Sequence, residues 1–129
     1  MDEEQLEYLK SKTNRFTESE VNRIKALRVE DEMMENIIEK LQTDVEVIPT
    51  TGQYFTFIYK AKTPMIEYDR FPLVAVSSIY RWGFTGLNYH WGWWRRYTWE
   101  ELQSNLYRVM PMELKTLRAI PYQSFTINN

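Results

Sequence analysis

The sequence predicts an α+β fold: a small, strongly bent antiparallel sheet or an SH3-like β-barrel, with an N-terminal helical arm and short C-terminal helices. Two observations support this prediction. The first 44 residues hold 12 acidic and 7 basic residues but only two of the 20 aromatic residues. From residue 45 onward, short apolar runs rich in aromatic and β-branched residues alternate with Gly, Pro and polar turns, a pattern typical of short strands. We therefore predict an acidic helical arm over residues 1–44 and an aromatic-rich, β-barrel-like domain over residues 45–129.

The composition limits the class of protein. A chain of 129 residues can bury a hydrophobic core without disulfides or structural metals. Cysteine is absent, which excludes a disulfide framework, a thiolate zinc site and a cysteine nucleophile. No apolar run reaches the length of a membrane span, and the acidic start Met1-Asp-Glu-Glu differs from the basic start of a signal peptide. We expect a protein made in the cytoplasm of its host and without a membrane partner.

The arm carries the signals of amphipathic helices. Thr17 and Glu20 have the spacing of a capping box, Leu6 and Leu9 predict a shorter helix before it, and a break is expected between residues 28 and 31. The apolar residues after the cap recur at intervals of three, four and seven: Val21, Ile24, Leu27, Met34, Ile38 and Leu41. Two interpretations stay open. The stripe packs on the chain's own domain, or its residues from Ile24 to Leu41 form an interface with a neighbouring subunit.

The domain is predicted to contain five short strands and two helices. The central strands cover residues 71–80 and 84–91, because residues 71–79 include no charged residue and Leu87, Tyr89 and Trp91 alternate with Asn88 and His90. The first of them is expected to be buried on both faces, and the second on one face only. The other strands are predicted over residues 45–49, 53–59 and 121–127, and the helices over residues 98–107, after a second capping box, and 112–120.

Two motifs lie along the central strands. Residues 68–74 read Tyr-Asp-Arg-Phe-Pro-Leu-Val, and residues 83–90 read Gly-Phe-Thr-Gly-Leu-Asn-Tyr-His. Together with the aromatic strand before them, they resemble a family of small virion-associated structural proteins of contractile-tailed bacteriophages, over roughly residues 53–127. In that family an aromatic-Leu-Pro turn usually follows the histidine, whereas this chain has Trp91-Gly-Trp-Trp-Arg-Arg. The resemblance implies a structural protein located in the virion.

Residues that could support catalysis are few. His90 is the only histidine, and the nearest carboxylates in the sequence are Glu67 and Asp69. We interpret Asp69 as an ion-pair partner of Arg70 or as a cap for backbone amides before the buried strand. The sequence contains no glycine-rich phosphate loop, zinc motif or nucleophile elbow. We therefore predict no catalytic residues, no metal, no cofactor and no enzymatic activity.

The stretch from Trp91 to Trp99 holds four tryptophans and two arginines within nine residues. Trp93 and Trp94 are adjacent, so on an extended segment they point to opposite faces and at least one is hard to bury. Because Trp and Arg dominate interface energetics, we predict an interface formed by Trp93, Trp94, Arg95 and Arg96. The predicted partners are other virion structural proteins or further copies of the chain in a symmetric particle.

The predicted function is therefore an assembly role in a phage tail, baseplate or neck. The alternative is a nucleic-acid-binding protein, in which bases stack on Trp and phosphates bind Arg. Residues 45–129 hold 9 basic and 6 acidic residues and lack a long basic stripe, which favours a protein partner.

Overall fold

The computed structural model describes residues 2–6, 13–62 and 66–128. Its strands are β1 (Val45–Glu46), β2 (Tyr54–Thr56), β3 (Ile66–Asp69), β4 (Leu73–Ile79), β5 (Gly83–Asn88), β6 (Trp93–Thr98), β7 (Leu106–Val109) and β8 (Phe125–Asn128). Its helices are α1 (Glu18–Lys25), α2 (Glu30–Leu41) and α3 (Leu114–Ala119), with 3₁₀ turns at Trp99–Glu101 and Pro111–Glu113. Residues 3–6 are also helical.

Six strands form one antiparallel sheet in the order β1-β7-β2-β4-β5-β6, while β3 and β8 pair as a separate two-stranded sheet. A register shift between Val76 and Ser78 marks a bulge in β4, which bends the strand locally. The large sheet ends at β1 and β6 and is not closed as a barrel. The predicted mixture of helices and antiparallel strands is confirmed, with an open sheet.

The arm begins and breaks where local signals indicate. The Thr17 hydroxyl accepts a hydrogen bond from the Glu20 amide at 3.2 Å and donates one to the Glu20 carboxylate at 2.9 Å, which caps α1. Arg28, between α1 and α2, has a φ of 63°, a left-handed conformation that interrupts a helix. The predicted break is confirmed and falls at residues 26–29. Leu6 lies in the helical residues 3–6, and Leu9 lies outside the described residues.

The apolar face of the arm packs on one face of the sheet. Its buried residues share a single cluster with residues of the domain: Phe16, Ile24, Met33, Met34, Ile37, Leu41, Phe71, Leu73, Val109, Leu117, Ile120 and Tyr122. Leu27 and Ile38 are partly buried against the same cluster. The stripe therefore packs within the chain, which was the first of the two interpretations. Ile24, Met34 and Leu41 have almost no exposed surface with which to contact a neighbouring subunit.

A buried ion pair joins the segment before α1 to the C-terminal part of the chain. The Arg15 guanidinium donates to the two carboxylate oxygens of Glu113 at 2.8 and 3.0 Å, and the Arg15 amide donates to the same group at 2.7 Å. The Met110 amide adds a fourth bond at 2.9 Å. Glu113 is fully buried, so its charge has no contact with bulk water. The four hydrogen bonds replace the hydration that burial removes. The arm and the domain are thus joined by a polar contact as well as by a shared core.

The opposite face of the sheet carries a second, mostly aromatic core. Its buried residues are Phe55, Phe57, Tyr59, Ala61, Tyr68, Val74, Val76, Phe84, Tyr97 and Leu106. Since Leu73 faces the arm and Val74 faces this second core, the beginning of β4 is buried on both faces, as predicted. Further along the strand, Ser77 and Ile79 are exposed, so the prediction does not hold to its end.

The predicted helix over residues 98–107 is wrong. The structure has a single 3₁₀ turn at Trp99–Glu101, followed by β7, which lies between β1 and β2. Pairing with two distant strands stabilises the extended form of residues 106–109, and Leu102 bridges to Tyr59. The Glu101 carboxylate accepts hydrogen bonds from the Tyr59 hydroxyl and from the Lys62 amide, so it fixes this turn to the segment that follows β2. The predicted helix over residues 112–120 is confirmed as a 3₁₀ turn followed by α3.

Candidate interface at the edge of the sheet

The predicted interface residues lie on β6, an edge strand that the sequence analysis did not assign. A turn over residues 89–92 leads into it, in which Gly92 has a φ of 74° and its amide donates to the Asn88 carbonyl at 2.7 Å. β6 then pairs with β5 from Asn88 opposite Trp93 to Gly83 opposite Thr98. No strand in the described part of the chain pairs with the other side of β6. The structure therefore presents this segment at the rim of the sheet.

Trp93 and Trp94 are both exposed, each with 66% of its surface accessible. Trp93 lies on the same face as Tyr97, which belongs to the aromatic core, whereas Trp94 lies on the same face as Leu87, its partner on β5. One indole therefore projects from each face of the edge strand. We call Trp93, Trp94, Arg95 and Arg96 together the Trp–Arg surface.

The two arginines of the Trp–Arg surface each stack on a tryptophan of this chain. The guanidinium carbon of Arg95 lies 4.3 Å from the ring centre of Trp91, and that of Arg96 lies 4.5 Å from the ring centre of Trp82. Trp82 is itself stacked on Tyr80, with ring centres 5.0 Å apart and planes 7° apart. Stacking restricts the motion of a long side chain, so less conformational freedom remains to be lost on binding. Within the described residues, neither arginine forms an ion pair with a carboxylate.

Beside Trp93, an aromatic cavity of about 290 Å³ opens between β6 and β8. Its lining consists of Glu67, Trp91, Trp93 and Phe125. The Trp91 ring contacts the Trp93 ring edge to face at 6.2 Å and the Phe125 ring at 5.2 Å. Ile127, two residues further along β8, is also exposed, so the apolar surface continues beyond the cavity. This cluster adds the side chains of β8 to the interface that the sequence predicts.

His90 lies close to this edge but is directed into the protein. Its Nδ1 is 2.6 Å from a carboxylate oxygen of Asp69, and both side chains are almost completely buried. The other carboxylate oxygen of Asp69 accepts from the Phe71 amide at 2.9 Å, so Asp69 caps backbone amides, one of its two predicted roles. Arg70, the other predicted partner, lies near Asp31 instead. The carboxylate partner of His90 is 21 residues away in sequence, and no local signal in the chain indicated the pairing.

The Asp69–His90 pair resembles the orienting half of a catalytic triad, but no nucleophile in the described part of the chain completes it. Among the described residues, Nε2 of His90 is buried and has no hydrogen-bond partner, so no hydroxyl lies within reach of it. The His90 ring instead packs edge to face on Tyr122, with centres 5.2 Å apart. Burial raises the pKa of Tyr122, whose hydroxyl lies 3.0 Å from the Thr56 hydroxyl. The hydrogen bond between Asp69 and His90 joins the end of β3 to the turn between β5 and β6.

Burial of Asn88 and His90 departs from the predicted alternation, in which the apolar residues Leu87, Tyr89 and Trp91 form the one buried face. Asn88 and the His90 side chain are buried, whereas the apolar residues are only partly so, Tyr89 against the first core. The Asn88 amide donates to the Tyr97 hydroxyl at 3.1 Å, and its side-chain oxygen accepts from the His90 amide at 2.9 Å. Because these bonds satisfy the buried polar groups, the polar face can point inward.

Other kinds of site find little support in the described ranges. Residues 2–6, 13–62 and 66–128 contain no group of three His, Cys, Asp or Glu side chains that could hold a metal ion. None of the helices described is long and apolar enough to cross a membrane. Comparison with family models, with curated proteins and with solved structures finds no match.

Proposed function

We propose that this chain is an assembly protein of a tailed bacteriophage particle, in its tail, baseplate or neck, and that it acts through protein–protein contacts. The observation that carries the proposal is the exposure of two adjacent tryptophans on an edge strand. The assignment to a phage particle rests on the resemblance of the Tyr68–Val74 and Gly83–His90 motifs to virion-associated structural proteins. Its location is therefore the virion.

Exposed tryptophans in this position favour a protein partner. Each indole removed from water on binding contributes a large apolar area, and truncation of such an anchor costs about 2 kcal/mol or more in binding. The apolar surface extends from Trp93 through Trp91 to Phe125 and Ile127, so it forms one patch. A continuous apolar patch rimmed by charges is typical of an interaction site.

Nucleic acid is the competing class of ligand, because exposed Trp and unpaired Arg also suit stacked bases and phosphates. Salt separates the two classes. A complex held by phosphate contacts weakens steeply as salt rises, by about 0.7 to 0.9 in the logarithm of the affinity per contact and per tenfold salt. An interface anchored by tryptophan loses little affinity over the same range.

We also propose that the fold is related to SH3-like barrels. Short antiparallel strands and a bulged central strand support kinship with SH3-like barrels. The free edges at β1 and β6 do not support it.

The test compares folding with incorporation into particles. Trp93→Ala and Trp94→Ala should each change the free energy of unfolding by about 0.5 kcal/mol or less, because the side chains are mostly exposed. Each should nevertheless reduce the amount of the protein in particles purified from complemented infections, as measured by mass spectrometry. Val47→Ala is the matched control, since Val47 is 78% exposed and follows β1 at the opposite edge.

The arginines provide a second comparison. Arg95→Ala with Arg96→Ala should prevent incorporation, and lysine at both positions should rescue it poorly because an ammonium group cannot stack as a guanidinium does. Normal incorporation of all these variants would refute the proposal. Unfolding of both tryptophan variants would instead assign the segment to the core.

A further inference from the structure

The backbone of β6 has hydrogen-bonding groups that point away from the sheet. In an antiparallel pair, successive residues direct their N–H and C=O groups to opposite sides. The Trp99 amide donates to the Trp82 carbonyl at 3.2 Å, so counting back by twos, Tyr97, Arg95 and Trp93 face β5. Thr98, Arg96 and Trp94 therefore face outward. Thr98 ends β6 where the 3₁₀ turn begins, so the outward groups of Trp94 and Arg96 form the open edge.

We propose that a second copy of this chain pairs antiparallel with β6, with the two Trp94 residues opposite each other on a twofold axis perpendicular to the sheet. The pairing would join two six-stranded sheets into one. It rests on the proposed role of the Trp–Arg surface as a protein interface and names the partner of that surface.

The charges of β6 select this register. The axis must pass through a residue, because residues on one face of a strand must meet residues on the same face of its partner. Trp93 and Thr98 lie at the ends of β6 and Tyr97 is buried, which leaves Trp94, Arg95 and Arg96. An axis through Arg95 or Arg96 places two identical arginines directly opposite each other, which is destabilising. The axis through Trp94 avoids this, since it places Arg95 opposite Trp93 of the other copy.

The same register provides each exposed side chain with a suitable neighbour. A guanidinium has two faces, and one face of Arg95 lies on Trp91, so the other can receive Trp93 of the second copy. On the opposite face of the sheet the two Trp94 rings meet, and cross-strand aromatic pairs stabilise antiparallel strands. Arg96 comes opposite Gly92, beside which a Cβ would find no atom within 4 Å, so its side chain has room.

The area available implies a weak pair. Four indoles with 66% of their surface exposed can remove about 400 to 660 Å² from water, well below the roughly 1,200 Å² at the lower end of stable interfaces. Pairing should therefore depend on concentration and increase where many copies are held together, as in a symmetric particle.

Sedimentation velocity of the full chain over a range of concentrations tests the pairing. We expect a monomer–dimer equilibrium that Trp94→Ser weakens at least about tenfold and that Val47→Ser leaves unchanged. Trp94→Pro should weaken it further than Trp94→Ser, because proline also removes an outward N–H and is tolerated at a sheet edge. A monomer at every concentration, or a dimer that persists in both Trp94 variants, would overturn the proposal.

A distance between the two copies tests the geometry. The chain contains no cysteine, so Ser77→Cys gives one labelling site on the exposed part of β4. Five strand spacings and an offset of four residues place the two Cα atoms about 28 Å apart, which pulsed electron paramagnetic resonance can measure. A single distance above about 40 Å would assign the dimer to another surface.

Mixing the wild-type chain with Arg95→Glu tests the register. An axis through Trp94 predicts that the mixed pair is weaker than the wild-type pair, because one contact between Arg95 and Trp93 is lost. An axis through Arg95 would place arginine opposite glutamate and strengthen the mixed pair, which would refute the proposed register. If the chain stays monomeric while its tryptophan variants are excluded from particles, this inference fails and the assembly role stands.

Discussion

Ile37 and Ile38 are adjacent on α2 and identical in chemistry, so replacing each by alanine measures how the arm is oriented. Ile37 is completely buried, whereas Ile38 is partly exposed beside Ile58 and Phe71. Ile37→Ala removes three carbon groups at about 0.8 kcal/mol each and leaves a cavity, so we expect a loss of about 3–4 kcal/mol in the free energy of unfolding. Ile38→Ala should cost about 1 kcal/mol, because part of its side chain stays in water in the folded protein.

Urea unfolding followed by far-ultraviolet circular dichroism measures both variants. The slope of the free energy against urea concentration should match that of the wild type, so the shift in midpoint reports stability alone. A loss for Ile38→Ala equal to or larger than that for Ile37→Ala would refute the reasoning. It would mean that α2 is rotated by about one residue, 100°, from the orientation in the structure.

Three further predictions concern the arm, the 3₁₀ turn and the buried histidine. Deletion of residues 1–44 should abolish cooperative unfolding, because Leu73, Leu117 and other core residues lose the partners supplied by α1 and α2; a calorimetric transition in the shortened chain would contradict this. Burial raises the pKa of Glu101, but hydrogen bonds from Lys62, Thr98 and Tyr59 lower it below its usual value overall. Glu101 therefore stabilises the fold above its unfolded pKa of about 4.3 and loses that effect as the pH falls through the lower folded pKa, so the difference in unfolding free energy between wild type and Glu101→Gln should shrink between pH 7 and pH 3. His90→Ala should lower the free energy of unfolding by about 2–4 kcal/mol, because it leaves a cavity and leaves a buried oxygen of Asp69 without its hydrogen-bond donor. Thermal unfolding measures this loss.

Each of the last two predictions has its own control. Glu100, next to Glu101, is exposed, so Glu100→Gln should give a difference from wild type that stays small at every pH. Asp69→Asn keeps the shape of its side chain and should recover part of the stability lost in Asp69→Ala. Equal losses for the two Asp69 variants would contradict a stabilising role for hydrogen bonds accepted by an uncharged side chain at position 69.

The sequence by itself determined the features that depend on neighbouring residues. Thr17 caps a helix because its hydroxyl reaches an amide three residues away, and Arg28 lies in the break because the apolar stripe is interrupted there. Period two likewise predicts that at least one of Trp93 and Trp94 is exposed, because adjacent residues of a strand point to opposite faces; that both are exposed depends on the place of β6 at the edge of the sheet. These features require only the chain within a few residues.

Only the tertiary structure decided the features that depend on distant partners. Residues 106–109 become a strand because β1 and β2 leave a place between them, which outweighs the helical pattern before Pro111. Gly86 lies where two strands approach closely: a Cβ there would lie 2.4 Å from a methyl group of Val74. The inward face of β5 was likewise set by Asp69 and Tyr97, whose hydrogen bonds allow His90 and Asn88 to be buried. In each case, whether a residue is buried or paired depends on atoms far away along the chain, so its own local pattern cannot specify the outcome.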